Sequence, residues 1–176
     1  MREGRDSRVV PDEPGGAVVS TGRVSPIPEH LRAVTPRLVV ADGAAAIDFY
    51  QRGFGAVQLG DRFSGPDGKL IHAEIQIGSS VVMISEDADD GLTAAPDRVG
   101  GIVTCVMALY FDDVDGAWER AVAAGAEVIH PLADQFYGDR AGRLRDPLGQ
   151  QWIMSQHIED VSPADLGRRA SQSLDG

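Results

Sequence analysis

The segment 69–77 carries the residues with the clearest chemical potential in this sequence. His72, Glu74 and Gln76 alternate there with apolar residues, namely Ile71, Ala73, Ile75 and Ile77. Successive side chains of a β-strand point to opposite faces, so this period of two predicts a strand with one polar and one apolar face. On the polar face, Glu74 or His72 could act as a general base and Gln76 as a hydrogen-bond donor. The alternatives are a solvated strand face or a dimer contact.

A second candidate lies in the stretch "FYGDRAGRLRDPLGQQWIMSQ", residues 136–156. Phe136 and Tyr137 could stack on a ligand, and Arg140 could meet an anionic or carbonyl group. The sequence "RDPLG" suits a tight turn, because Pro147 fixes φ and Gly149 is free to adopt a positive φ. We therefore predict a hairpin that also forms one wall of a pocket.

The elements that must position these residues occur twice. The segments "VVADGAAAIDFYQRGFGA" (39–56) and "YFDDVDGAWERAVAAGA" (110–126) both run from an apolar strand pattern through Asp to an amphipathic helix that ends at Gly-Ala. An offset of 70 residues takes Asp42 to Asp112 and Gly55 to Gly125, and it also takes "VVMIS" (81–85) to "QWIMS" (151–155). One offset at both ends of the unit indicates an internal duplication.

Each unit is predicted to contain a strand, a helix and three further strands. The first unit gives a strand at 34–40, a helix at 43–54 and strands at 57–63, 69–77 and 80–85. The second gives a strand at 103–111, a helix at 114–124, a strand at 127–133, the hairpin stretch and a final strand at 151–158. The fold class is therefore α+β, with two βαβββ modules in tandem.

These elements define one domain over residues 29–166. The first module covers about 33–86 and the second about 102–160, with an acidic, Gly-rich linker at 87–101. Residues 1–28 are rich in Pro, Gly, Ser and charge, which predicts a flexible arm. Residues 161–176 predict a short helix, capped by Ser162 with Pro163 at its first position, and a frayed tail.

Composition narrows the possible partners and location. The chain has 176 residues, of which 43% are hydrophobic, and a net charge of -11. Such an acidic protein is a poor partner for nucleic acid or an anionic membrane, and no apolar run reaches the roughly 18 residues of a membrane span. The N-terminus has no apolar core of a secretory signal. Cys105 is the single cysteine, which fits a reducing cytoplasm and suggests a small apolar residue within a strand.

Four phrases in order resemble one family. They are "VTPRLVVADGAAAIDFYQRGFGA", "LIHAEIQIGSSVVMIS", "ADQFYGDRAGRLRDPLGQQW" and "HIEDVSP". Together they resemble the vicinal oxygen chelate superfamily, which contains glyoxalases, bleomycin-resistance proteins and dioxygenases, and most closely its PhnB-like branch. The resemblance implies a curved, cup-shaped mixed sheet with helices on its convex side, a ligand on the concave face, and a homodimer.

The resemblance also implies where a divalent metal would be held in the enzymes of the superfamily. The matching positions here are Thr35, Met83, Val106 and Ile153. Zinc, iron, nickel and magnesium prefer imidazole, carboxylate or thiolate ligands. The sequence therefore predicts no cofactor, and the alternative is an enzyme that holds a divalent metal at an atypical site.

The inward face of the cup follows from the same positions and the period of two. If Ile153 faces the ligand, so do its neighbours two residues away, whereas Trp152 and Met154 pack under the helices. The predicted ligand contacts of the first and last strands are Thr35, Arg37, Tyr110, Gln151 and Ser155. Gln76, Phe136, Tyr137 and Arg140 join them, with Glu74 and His72 as the acid–base groups.

Three functions fit these features. The first is a metal-free protein that binds or sequesters a small organic molecule, as bleomycin-resistance relatives do, which would make it an antibiotic-resistance protein. The second is an enzyme with isomerase, lyase or cyclase chemistry that uses Glu74 and His72. The third is a purely structural dimer module, which would leave the polar row of segment 69–77 without a role.

Overall fold

A computed structural model describes residues 24–174 of the chain. Most of the predicted N-terminal arm, residues 1–28, and the last two residues of the predicted tail lie outside this range. The strands are β1 Arg37–Val40, β2 Val57–Ser64, β3 Leu70–Ile77, β4 Ser80–Glu86, β5 Met107–Tyr110, β6 Glu127–Asp134, β7 Asp139–Arg145 and β8 Gln151–His157. The helices are α1 Gly43–Phe54, α2 Val114–Ala123 and α3 Pro163–Leu174.

The strands form two four-stranded sheets with the same topology. The first sheet has the order β1-β4-β3-β2 and the second β5-β8-β7-β6. In each sheet the first and last strands of the module pair in parallel, and the other pairs are antiparallel. This arrangement confirms two βαβββ modules in tandem and the α+β fold class.

Helices α1 and α2 each start at an aspartate cap, as the repeat predicts. The carboxylate of Asp42 accepts from the Ala45 amide at 2.9 Å, and that of Asp113 accepts from the Gly116 amide at 3.0 Å. These bonds satisfy amides that have no partner within the helix. The second cap is therefore Asp113 and not Asp112, so the offset is 71 residues at the helix start. Gly55 ends α1 with φ of 68°, which costs glycine no steric strain.

One hydrophobic core joins the modules. The buried faces of both sheets pack on α1 and α2, which contact each other where Gly53 approaches Ala121. Trp152 of β8, which is fully buried, packs edge-on against Tyr50 and Phe54 of α1 at centroid distances of 5.4 and 5.0 Å. Because the helices cover one face of each sheet, the opposite face of each sheet is open.

A buried carboxylate reinforces this junction. Asp146, in the β7–β8 turn, accepts from the Tyr50 hydroxyl and the Trp152 indole, both at 2.8 Å. Its other oxygen accepts from the Leu148 and Gln150 amides at 2.9 Å. Burial raises the pKa of Asp146, against the lowering effect of these four donors. The "RDPLG" turn is present, with Gly149 at φ of 89°, and it carries a polar link between the modules.

The first strand of each module is shorter than predicted, and the linker has its own structure. Segments 34–36 and 103–106 precede β1 and β5 and are not part of these strands. The Pro36 carbonyl nevertheless accepts from the Met83 amide of β4 at 2.9 Å. Cys105, in the second of these segments, is exposed and outside a strand, which corrects its assignment as a strand residue. In the linker, buried Asp87 accepts from the Asp89 and Ala95 amides at 2.9 and 3.0 Å. The C-terminal helix α3 starts as predicted, with the Ser162 hydroxyl accepting from the Asp165 amide.

Candidate functional site

A row of side chains crosses the open face of the first sheet. Arg37 of β1 is opposite Met83 of β4, which is opposite Glu74 of β3. Glu74 is in turn opposite Leu59 of β2. Ala73 and Ile75, which flank Glu74 along β3, are fully buried on the helix side. The predicted period of two is therefore present, although Ile71 is exposed because the ladder is irregular near the start of β3.

Glu74 lies between two imidazoles. Its side chain is 18% exposed, and Oε2 is 3.1 Å from Nε2 of His30 while Oε1 is 3.4 Å from Nε2 of His72. The His72 ring also faces Phe63 at a centroid distance of 6.3 Å. His30 comes from the segment before β1, which has no strand or helix period. The structure therefore adds His30 to the predicted pair, and sequence periodicity gave no signal for it.

Arg37 lines a cavity of about 680 Å³ beside this row. The cavity lies between the open face, the β2–β3 turn and the start of the linker, and its walls include Val39, Ile71 and Ser85. The Arg37 guanidinium donates to Ser85 Oγ at 3.2 Å and to the Ile71 carbonyl at 2.6 Å. These bonds orient Arg37 without neutralising it, since no carboxylate within residues 24–174 forms an ion pair with it.

The other predicted contacts of the first module have local roles. Gln76 is exposed and donates to the Gly78 carbonyl at 2.9 Å. The Thr35 hydroxyl donates to the Arg32 carbonyl at 3.1 Å in the segment before β1. Gln76 thus lies at the end of the polar row, whereas Thr35 lies outside the sheet.

The open face of the second sheet carries a hydrogen-bonded chain. Asp139 of β7, which is buried, accepts from the Tyr110 hydroxyl at 2.8 Å and is 2.8 Å from Nδ1 of His157. Nε2 of His157 is 2.9 Å from the exposed carboxylate of Asp160. The contacts with Asp160 and Asp139 raise the pKa of His157, and the hydrogen bond to Asp139 raises the pKa of Tyr110. Tyr110 was predicted to face the ligand, and the structure places it here.

The remaining predicted contacts surround this chain. Ser155 and Gln151 lie on the same face of β8 as Ile153, with Ser155 buried and Gln151 half-buried. Phe136 and Tyr137 form a T-shaped pair with a centroid distance of 5.3 Å in the β6–β7 turn, and both are partly exposed. Tyr137 also lines a groove of about 240 Å³ on this face.

Arg140 points to the helix side of the second sheet. Its guanidinium donates to Asp115 of α2 at 2.7 Å and to Asp134 of β6 at 2.9 Å. Both carboxylates raise the pKa of Arg140 further, and the bonds hold the side chain away from the open face. The side chain of Arg143, three residues further along β7, points to the open face and lines the groove of about 240 Å³. In the sequence, the alternation of arginine with the apolar Leu144 in "GRLR" could have indicated that Arg143 points away from the core.

The structure does not bring all the predicted residues together in one chain. Glu74, His72 and Arg37 lie on the open face of the first sheet, and Tyr110, Tyr137 and Ser155 lie on that of the second. The shared helical core separates these two faces. A single chain therefore divides the predicted site residues between two separate faces.

The glyoxalase/bleomycin resistance protein/dioxygenase superfamily is the family whose sequence model matches this chain, over residues 29–154. The chain belongs to this superfamily. An uncharacterized protein of Mycobacterium bovis, Mb0911c, is 42% identical over 147 residues, which cover 82% of this chain and 95% of the relative. An uncharacterized protein of Mycobacterium tuberculosis, Rv0887c, is also 42% identical over 147 residues, with 82% and 85% coverage.

Two solved structures share the fold of this chain. TioX from Micromonospora sp. ML1 is 28% identical, with a TM-score of 0.56 and coverage of 70% of this chain and 97% of TioX. The PhnB protein of Bacillus cereus, at 19% identity, has a TM-score of 0.51 with 71% and 99% coverage. In the part of the chain that the structure describes, no helix is both long and apolar enough to cross a bilayer.

The metal-binding positions of the superfamily do not fit a metal here. Met83 and Ile153 lie on the open faces, and the first strands place Arg37 and Ala108 opposite them. A thioether, two alkyl groups and a guanidinium offer no hard ligand, and the guanidinium repels a cation. Between residues 24 and 174, no three His, Cys, Asp or Glu side chains cluster in a way that could hold a metal ion.

Proposed function

We propose that this protein binds a small organic molecule without a metal, on the open face of the first sheet. The observation that carries the proposal is Glu74, a largely enclosed carboxylate whose ion-pair neighbours are His30 and His72 rather than Arg or Lys. Such a carboxylate can pair with a cationic or hydrogen-bonding group of a ligand. The adjacent 680 Å³ cavity has the size of a typical small-molecule site. The acidic net charge of -11 favours a cationic ligand.

A second function, an enzyme of the isomerase, lyase or cyclase type, has one observation in its favour. Glu74 has an imidazole within 3.5 Å of each of its oxygens, at 3.1 Å for His30 and 3.4 Å for His72. A carboxylate and an imidazole in contact can take a proton from one atom of a substrate and return it to another. Binding and turnover are thus distinguished by what happens when Glu74 loses its charge.

The homodimer belongs to this proposal. The strands β1 and β5 are edge strands, and an exposed edge usually needs a cover. A groove of about 680 Å³ runs along these edges, and its walls include the exposed side chains of Val34, Leu92 and Ile102. A second copy laid on this groove would cover both edges and could bring the open face of the first sheet of one copy next to the open face of the second sheet of its partner.

The location proposed for the protein is the cytoplasm. Exposed Cys105 fits this reducing compartment.

The decisive experiment compares Glu74→Gln with Glu119→Gln. The second variant removes the same charge from an exposed position of α2, on the helix side. A calorimetric titration with hits from a thermal-shift screen of organic cations and neutral aromatic molecules gives the affinities. If Glu74 pairs with a cationic ligand, Glu74→Gln should weaken binding by about 10- to 150-fold, the equivalent of about 1.5–3 kcal/mol. Glu119→Gln should bind as the unmodified protein does.

The same pair of variants identifies an enzyme. If Glu74 is a base, Glu74→Gln should retain the ligand while conversion of that ligand, followed by mass spectrometry, falls by about 10²–10⁴-fold. If both variants bind and convert every hit equally, with the fold intact, the polar row is a solvated surface or a dimer contact and the proposed site is wrong.

A further inference from the structure

Arg143 is the cation on the open face of the second sheet that lacks a carboxylate. Three arginines lie on β7: Arg140 is bound by Asp115 and Asp134, and Arg145 donates to Glu127 at 2.9 Å. The Nε atoms of Arg143 and Arg145 are both buried without a hydrogen-bond partner. Arg145 still has Glu127 as its carboxylate partner, whereas Arg143 forms no ion pair with any residue of the described range 24–174. Buried polar groups are nearly always paired, so an unpaired guanidinium nitrogen here indicates a missing acceptor.

The groove around Arg143 has the composition of a small anion site. It holds about 240 Å³, and its lining includes His130, Tyr137 and Ile153. Arg143 is opposite His130 on one side and Ile153 on the other. Burial and the Asp139 carboxylate raise the pKa of Tyr137, so its hydroxyl remains a donor at neutral pH. A guanidinium, a phenol and an imidazole therefore surround the groove, with Ile153 and Ala141 as its apolar walls.

The internal repeat relates the position of Arg143 in the second module to that of Glu74 in the first. Arg143 stands opposite Ile153 as Glu74 stands opposite Met83, and Ile153 and Met83 are related by the 70-residue offset. The two modules therefore place groups of opposite charge at equivalent positions on their open faces. A guanidinium recognises a carboxylate through two parallel hydrogen bonds, a geometry that an ammonium or a single donor does not reproduce.

We propose that this groove, which we call the Arg143 subsite, binds the carboxylate of a small monocarboxylic acid with an apolar or aromatic body. The volume limits the body to about the size of one ring, since drug-sized pockets start near 300 Å³. The subsite lies on a different sheet from Glu74, so the inference does not depend on the function proposed for the first sheet.

Benzoate is the probe, with benzamide as its uncharged analogue and inorganic phosphate as a different anion. Titration of isotope-labelled protein, followed through the arginine Nε–Hε signals, should show a saturable shift of the Arg143 signal with benzoate only. Arg143→Met, which keeps the length of the side chain, should weaken benzoate binding by about 10- to 100-fold. Arg145→Met removes a neighbouring guanidinium that has a carboxylate partner and should change the affinity by no more than about twofold.

Several outcomes would overturn the subsite. Equal shifts with benzamide or phosphate would show that no carboxylate is recognised, and unchanged binding by Arg143→Met would show that another residue holds it. If Arg143→Met does not fold, the Arg143 signal of the unmodified protein still decides. If Glu74→Gln abolished benzoate binding, the carboxylate site would lie on the first sheet and not at Arg143. If instead the function proposed for the first sheet fails, the benzoate titration of Arg143 should be unchanged.

Discussion

The phenol of Tyr50 donates a 2.8 Å hydrogen bond to the carboxylate of Asp146, across the boundary between the two modules. Both residues are buried, and Asp146 accepts three further hydrogen bonds, from Trp152, Leu148 and Gln150. Burial, with the nearby Asp146 carboxylate, raises the pKa of Tyr50, which keeps its hydroxyl protonated as a donor. The pair is thus a polar contact inside a hydrophobic junction.

We expect Asp146→Asn to destabilise the protein by about 3 kcal/mol. The amide can accept at one position only, so two of the four buried donors would lose their partner, at a cost of about 1–3 kcal/mol each. Tyr50→Phe removes one donor and should cost about 2 kcal/mol. Chemical denaturation gives both values, with the exposed Asp61→Asn as a control that should stay within about 0.5 kcal/mol. An Asp146→Asn protein as stable as the unmodified one would show that the junction does not need the carboxylate.

We expect His157 to titrate above its ordinary pKa of 6.5, because Asp160 and Asp139 favour the imidazolium. A raised pKa in the folded state means that this contact stabilises the protein fully below pH 6.5, and that the stabilisation is lost as pH rises through the folded pKa. An NMR titration of the His157 ring measures the pKa. Asp160→Asn should lower this pKa. A His157 pKa at or below 6.5 would contradict the contacts.

Sequence reasoning located the elements well because their local signals are strong. The helix at 43–54, its cap at Asp42 and the alternation around Glu74 all follow from periods and end signals within a few residues. It did not locate His30, which reaches Glu74 from a segment without periodicity, or the four donors that converge on Asp146. It chose Arg140 over Arg143 because the hairpin stretch was not assigned a strand, and without a strand no residue of it could be given a face. Such long-range contacts depend on the tertiary fold, which no local pattern encodes.

We expect the protein to be a homodimer at micromolar concentration. The β1 and β5 edges and the apolar groove beside them are the surfaces that a second copy would cover. Light scattering should give twice the chain mass of 18.7 kDa. Ile102→Asp, at a position in the groove that is 68% exposed, should shift the mass toward the monomer without unfolding the chain. A mass of 18.7 kDa for the unmodified protein would remove the proposed cover for these edges.

We expect the protein to purify without a stoichiometric divalent metal. The positions that the resemblance assigns to a metal hold Thr35, Met83, Val106 and Ile153, and Arg37 is opposite Met83 in the β1–β4 pair. Elemental analysis of protein purified without chelator measures the content directly. About one zinc, iron or nickel per chain would overturn this expectation, and Glu74→Gln would then show whether Glu74 and its two imidazoles hold the ion.

The burial of Trp152 against α1 has a consequence for how this duplicated protein can change over time. Tyr50 and Phe54 belong to the first repeat, and the ring that covers them belongs to the second. Either repeat alone would leave aromatic surface without a cover, so we expect that one repeat does not fold by itself. A volume change on one side of this contact must therefore be compensated on the other, which couples the sequences of the two repeats.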